Sequence, residues 1–254
     1  MFRPRVIPVL LLKGQGLVKS VQFKNHRYIG DPINAVRIFN DLKADELIFL
    51  DILATKENRI ISLDFVKNVG EEANMPFAVG GGIKTISQIR DILNSGAEKV
   101  VINTKAFLNT GFIRQAADTF GSSTISVCID VKKKLFGPEQ SWIIAGSKPT
   151  GKSPVEIAKE MERQGAGELI IQSIENDGMM KGFDLQLIRR ISEAVTIPVV
   201  ALGGAGSIMD FKQAVNEGSA SAVAAGSMFV YHGPRNAVLV NYPTHEQLAE
   251  LFTN

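Results

Sequence analysis

The sequence predicts an α/β fold: a single closed (β/α)8 TIM barrel built from two duplicated half-barrels. Three observations predict it. Eight short apolar runs, rich in Val and Ile, alternate with amphipathic helical stretches; no linker or low-complexity segment divides the 254 residues; and the second half repeats the first at a constant spacing. Eight β-then-α units in a chain of this length fit a closed barrel better than an open doubly wound sheet.

The first strand is expected over VIPVLLL (6–12), which runs into Lys-Gly-Gln-Gly. It is far too short to span a bilayer, and no small-x-small cleavage site follows it, so a strand explains it better than a signal core. Further strands are expected near 46–52, 76–80, 99–103, 124–130, 168–173, 198–202 and 221–225. Helix-period segments follow, among them PINAVRIFNDL (32–42), ISQIRDIL (86–93), PVEIAKEMERQ (154–164) and MDFKQAVNEG (209–218). Longer excursions, 13–30 and 131–150, follow the first and fifth strands. Pro32, Glu46, Pro76, Gly82 and Gly96 each find the same residue type 122 positions later, at Pro154, Glu168, Pro198, Gly204 and Gly218. AVGGGI (78–83) is answered by ALGGAG (201–206). A fixed offset through several elements points to duplication, with halves of about 1–122 and 123–254, because unrelated βα units would drift.

Composition narrows the function. Apolar residues make up 45% and charged residues 21%, and the net charge of +2 gives no electrostatic case for nucleic acid or a membrane surface. A single cysteine, Cys128, excludes an internal disulfide framework and suits a reducing cytosol, so a cytoplasmic protein is expected. His26, His232 and His245 are scattered without zinc spacing, so neither a metal nor a cofactor is expected.

In such a barrel the chemistry belongs at the C-terminal ends of the strands. Two glycine turns fall there, Gly80-Gly81-Gly82 and Gly203-Gly204. Glycine lets backbone N–H groups approach an anion closely, and the following helix N-terminus adds a positive dipole end. Asn103-Thr104 completes the first cradle, and Ala225-Gly226 is its counterpart in the second. Two cradles imply an elongated ligand phosphorylated at both ends. Asp51, Asp130 and Asp177 end the second, fifth and sixth strands, where a carboxylate could shuttle protons or serve only as a cap or loop hydrogen-bond acceptor. Asp130 reads best as a proton carrier, and Asp177-Gly178 as part of a phosphate loop.

At this point the chain resembles, nearly end to end, the cyclase subunit of imidazole glycerol phosphate synthase. The resemblance runs through GDP (30–32), ADELIFLDI (44–52), VGGGI (79–83), EKVVINT (98–104), FGS (120–122), ID (129–130), PTG (149–151), GAGE (165–168), NDG (176–178) and GGAG (203–206). It implies a barrel that docks a glutaminase subunit at its N-terminal face. Ammonia then passes up the axis to a bis-phosphorylated ribulosyl intermediate. It adds Lys19 to the ligand-binding positions and implies an acid–base pair of aspartates ending the first and fifth strands. The second is Asp130; the first falls on Leu11, which carries no proton. Gln172, Leu202 and Met179-Met180 also depart from the family pattern.

The other end of the barrel keeps that pattern. Arg5, Glu46, Lys99 and Glu168 match a salt-bridged gate around the ammonia entrance, and Glu98 matches an acidic partner contact. Four charges on a narrow axis cost desolvation unless they are used or fully paired. A kept inlet with a broken acid–base pair resembles a divergent branch tied to acetamidino modification of surface sugars, as does GSMFVYHGPRNAVLVNYP (226–243). That branch implies a further partner, a separate ATP-dependent amidotransferase. Two other readings stay open: a working ring-closing cyclase that tolerates Leu11, and a non-catalytic barrel that activates its glutaminase.

Overall fold

The computed structural model describes residues 3–133, 137–233 and 235–253. Eight strands form the barrel: β1 (Arg5–Lys13), β2 (Leu47–Asp51), β3 (Phe77–Gly80), β4 (Lys99–Ile102), β5 (Ile125–Lys133), β6 (Glu168–Ser173), β7 (Val199–Leu202) and β8 (Ala222–Ala225). Each pairs in parallel with its sequence neighbours, and Arg5↔Ala222 through Pro8↔Ala225 join the first strand to the last and close the ring. Closure removes every edge from the parallel sheet.

Eight main helices surround it: α1 (Pro32–Asp41), α2 (Leu63–Glu72), α3 (Ile86–Asn94), α4 (Gly111–Phe120), α5 (Pro154–Arg163), α6 (Leu185–Ser192), α7 (Ile208–Asn216) and α8 (His245–Phe252). Their starts are written in local sequence. Asp31 accepts a hydrogen bond from the Asn34 N–H and Pro32 occupies the first turn, which explains the Gly-Asp-Pro motif. Thr85 with Gln88, and Thr244 with Gln247, form reciprocal capping boxes. Helices α1 and α5 begin at 32 and 154, α2 and α6 at 63 and 185, α3 and α7 at 86 and 208, so the 122-residue spacing holds in three dimensions.

The two long excursions are antiparallel hairpins. One, Gly16–Val21 with Lys24–Gly30, extends from β1; the other, Glu139–Ile143, pairs back on β5. Along each barrel strand alternate side chains face opposite ways. In β1, Val6, Leu10 and Leu12 pack outward in the main core with residues of the helices, while Ile7, Val9 and Leu11 join an inner cluster with Ile48, Val101, Ile170, Val200 and Leu202.

The segment before α8 ties the C-terminus to the N-terminal end of the barrel. The buried Tyr242 hydroxyl donates to the Val6 carbonyl at 2.8 Å and accepts from the Asp45 N–H at 3.3 Å. Asp45 in turn accepts from Arg3 at 2.6 and 2.8 Å and from the Val6 N–H at 2.9 Å. Tyr242→Phe leaves the Val6 carbonyl short of its donor and should cost about 1–2 kcal/mol. Urea unfolding should show a lower midpoint at unchanged slope.

Candidate active site at the barrel mouth

The C-terminal ends of the strands enclose a cavity of about 330 Å³. Leu11, Lys19, Asp51, Gly82, Asn103, Thr104, Asp130, Asp177, Gly178, Gly204, Ala225 and Gly226, all singled out from the sequence, line it. The alternation of β5 brings Ser126, Cys128 and Asp130 to the inner face. Asp130 is buried beside Cys128, whose thiol donates to Oδ1 at 3.4 Å, and Asn103, whose amide donates to Oδ2 at 3.3 Å and to the Cys128 carbonyl at 3.0 Å. Burial pushes the Asp130 carboxyl up to about 7; the thiol hydrogen bond opposes that rise and the nearby Asp177 charge adds to it. A carboxyl so poised exchanges a proton near neutral pH. Burial and the adjacent carboxyl push the Cys128 thiol well above its usual range, so it is a donor and not a thiolate.

The inward-facing position of β1 at the mouth is Leu11, which carries no ionisable group. Leu11 pairs with Leu50 across to β2 and is partly buried against the inner apolar cluster.

The glycine turns do a packing job as well as lining the cavity. A Cβ on Gly82 would lie 1.8 Å from the Arg59 carbonyl oxygen, and one on Gly204 would lie 2.1 Å from that of Gly182. Each turn is thus seated against the loop of the preceding βα unit, and both residues have positive φ, +69° and +116°. The short helix Thr104–Leu108 and the 3-10 turn Ser227–Phe229 begin at Asn103 and Gly226 without any side-chain cap. No capping side chain claims their first N–H groups, and Asn103, Thr104, Gly226 and Ser227 line the cavity. Thr104 Oγ1 accepts from the Ile144 N–H at 3.1 Å.

Lys19 lies within the second cradle. It is buried, its ammonium donates to the Val9 carbonyl at 2.5 Å, and a Cβ on Gly226 would meet its Nζ at 2.6 Å. Desolvation lowers its pKa to about 8, against the pull of Asp177. Asp177 itself lies four residues past the end of β6 and clamps the first hairpin. It accepts from Ser20 Oγ at 2.7 Å, the Phe23 N–H at 3.2 Å and Gln172 Nε2 at 3.3 Å. A Cβ on Gly178 would lie 2.1 Å from the Ser20 carbonyl oxygen, so the Asp-Gly pair serves hairpin docking at close quarters. Asp51 is equally engaged: it accepts from the Leu53 and Ala54 N–H groups at 3.0 and 3.1 Å and pairs with Arg59 at 2.5 Å. For Asp51 and Asp177 the structure thus displays loop-capping contacts.

At the opposite end Arg5, Glu46, Lys99 and Glu168 converge. Arg5 bonds Glu46 and Glu168, and Lys99 reaches Glu46 at 3.1 Å and Glu168 at 3.8 Å. Ser126 Oγ donates to Glu168 at 3.1 Å. Each carboxylate thus meets both cations, and the ring closes the axis below an interior lined by Ile7, Ile48, Ala78, Ala222 and Ala224. Glu98 stands exposed beside it, its carboxylate accepting from the Phe77 N–H at 2.8 Å.

Sequence reasoning missed several lining residues. Ser20, Phe23 and His26 belong to the first hairpin and border the cavity; Cys128 was read only as a redox marker, although counting back two residues from Asp130 puts it on the same face. Nothing local marks Arg59 as the partner of Asp51. Among the described residues no group of three or more His, Cys, Asp or Glu is placed to hold a metal ion.

Known proteins resemble the chain along most of its length. Residues 5–234 match the family described as histidine biosynthesis protein. A Pseudomonas aeruginosa protein, provisionally named an imidazole glycerol phosphate synthase HisF-type subunit, is 46% identical over 248 residues, 98% of this chain and 99% of its own. A Leptospira interrogans protein with a similar provisional name is 42% identical over 253 residues, 99% of this chain and all of its own. The imidazole glycerol phosphate synthase subunit HisF of Alkaliphilus metalliredigens is 43% identical over 232 residues, 91% of this chain and 92% of its own.

The raised carboxyl has a pH signature. Because the folded Asp130 pKa, about 7, exceeds the unfolded value, its contribution to stability is fully present below about pH 4 and is lost as pH rises through about 7. Asp130→Asn removes that loss. The decline in unfolding free energy between about pH 5 and pH 8 should shrink by about 2 kcal/mol, read from denaturant titrations at each pH.

Proposed function

The chain belongs to the family of histidine biosynthesis proteins, and on that premise we propose that it is the ammonia-conducting barrel subunit of a glutamine-dependent synthase, docked at its N-terminal face on a glutaminase subunit. The observation that carries this reading is the ring of Arg5, Glu46, Lys99 and Glu168. Two buried carboxylates and two cations at the foot of an apolar bore gain little stability over apolar filling, so their presence fits a use. Neutral ammonia crosses an apolar bore that repels its charged form. Lys99, held at 3.1 and 3.8 Å, is the looser of the two cations and the natural part to swing aside.

At the mouth the two glycine turns, with the uncapped starts at Asn103 and Gly226, form anion cradles for a phosphorylated ligand, Lys19 supplying a fixed charge to the second. What receives the ammonia follows from Leu11. With one member of the acid–base pair missing, ring closure of a bis-phosphorylated ribulosyl intermediate loses roughly 10²-fold or more. We therefore assign the chain to amidine formation, converting an N-acetyl group of a surface-polysaccharide sugar to an acetamidino group together with a separate ATP-dependent amidotransferase. A second reading, a ring-closing cyclase, is favoured by one observation: a carboxyl with a pKa of about 7 can both take and give the proton, so Asp130 could serve alone.

Two experiments test this. Co-expression with a glutaminase from the same genome should give a stable heterodimer with raised glutamine hydrolysis, and Arg5→Ala should weaken coupling between hydrolysis and ammonia use; failure to co-purify, with an unstimulated glutaminase, overturns the proposal. In a strain lacking its histidine-pathway cyclase, the chain should not restore histidine-free growth, and Leu11→Asp should give a partial gain in turnover with free ammonia. Growth supported by the unaltered chain would establish the cyclase reading.

A further inference from the structure

We propose that His26 is a ligand contact of the mouth and takes up a proton from solvent when a phosphorylated ligand binds there. The inference rests on reading the two glycine turns as anion cradles and adds a titrating contact between them. Around the ring the first cradle belongs to β3 and β4 and the second to β7 and β8, so β1 and β2 separate them. That sector carries His26 on the first hairpin and Lys56 on the loop after β2, and both line the cavity. Lys13 ends β1 in the same sector.

The hairpin holds His26 in place. Its tip turns through Gln22, Phe23 and Asn25, all at positive φ, and is pinned to the loop after β6. The Gln22 N–H donates to the Asp177 carbonyl at 2.9 Å, the Phe23 N–H to the Asp177 carboxylate at 3.2 Å, and Gln22 Nε2 to the Glu175 carbonyl at 2.9 Å. On the next residue the Arg27 guanidinium lies over the Tyr231 ring, 5.6 Å from its centroid. His26 is thus carried at the rim on a strand anchored to two neighbouring loops.

Its surroundings favour the neutral ring. Partial burial and the charges of Lys13 and Lys56 hold the imidazole below its usual pKa, against the pull of Asp177. Asp51 is paired with Arg59 and Asp177 is bonded to the hairpin, so neither bonds Lys13 or Lys56. Without a ligand, His26 is therefore neutral at pH 7. A phosphate beside Lys56 reverses the balance: its charge offsets the lysines, draws a proton onto the imidazole and accepts a charge-assisted hydrogen bond from it. Because the pKa rises on binding, affinity grows as pH falls through the bound-state value and stops growing below the free-state value.

Lys19 and Asp130 titrate in the same cavity, so the test reads His26 directly. The chain has three histidines, and His245, bonded to the Lys43 carbonyl at the foot of the barrel, serves as an internal reference. In a pH titration of the histidine ring protons by NMR, saturating ribulose 1,5-bisphosphate should raise the proton affinity of His26 about 10-fold and leave His245 unmoved. His26→Gln identifies the signal by its loss. Calorimetric titration of the full chain between about pH 8 and about pH 6 should show a several-fold gain in affinity that His26→Gln lacks. Lys56→Gln should raise the His26 pKa of the free chain. A His26 pKa indifferent to a ligand that binds saturably, or indifferent to Lys56, overturns the inference and leaves the cradles standing. If neither ribulose 1,5-bisphosphate nor inorganic phosphate binds saturably, the cradle reading falls and this inference falls with it.

Discussion

A closed parallel barrel gives each strand one row of side chains for its helices and one for its axis, and nearly everything at the two ends of this molecule follows from that alternation. The inward row of β1 is Arg5, Ile7, Val9 and Leu11; that of β5 is Ser126, Cys128 and Asp130; that of β6 is Glu168, Ile170 and Gln172. A single strand thus supplies a member of the charged ring, an apolar filler and a mouth residue in steps of two. A one-residue slip would carry every one of them to the helical side. The outward rows, seated under capped helices, hold the register, so the packing of the outer layer aims the chemistry of the inner one.

That same alternation decides how much of the protein is legible in its sequence. The strands, the helical segments and the 122-residue spacing were readable because they rest on local signals: an apolar period of helical spacing, a run of β-branched residues, a repeated Gly-Gly. Asp130 was readable because it ends a strand, where the period of two fixes its direction, whereas Arg5, Glu46, Lys99 and Glu168 were singled out by the family resemblance alone. The structure brings those four together at one end of the barrel.

Loop contacts were not readable, for a physical reason. Ser20 and Asp177 are 157 residues apart in the chain, and nothing in either neighbourhood encodes the 2.7 Å bond between them. The sequence presented Asp51 and Asp177 as mouth carboxylates. The structure adds that each is committed to loop groups, Asp51 to Arg59 and two N–H groups, Asp177 to the first hairpin. The glycine turns carried two meanings that sequence could not separate, since close approach to an anion and close approach to a neighbouring carbonyl both require the absence of a Cβ. At Gly82 and Gly204 the second is visible in the 1.8 and 2.1 Å that a Cβ would leave.

The two ends of the barrel answer to different physical demands. The ring at the foot is costly to keep: its two buried carboxylates and two partly buried cations could be replaced by well-packed apolar side chains with little or no loss of stability, whereas removing a cation leaves the buried carboxylates short of a partner. Such a ring persists as a unit or is lost as a unit. The mouth is different, because Leu11 sits at a partly buried position on an apolar cluster, where leucine packs more favourably than a carboxylate and asks nothing of its neighbours. A carboxylate placed there would have to give up water against that cluster, the usual opposition between stability and activity. A barrel of this kind can therefore vary the residues of its mouth while its charged ring stays whole. The packing around Leu11 thus favours an apolar side chain at this point of the mouth.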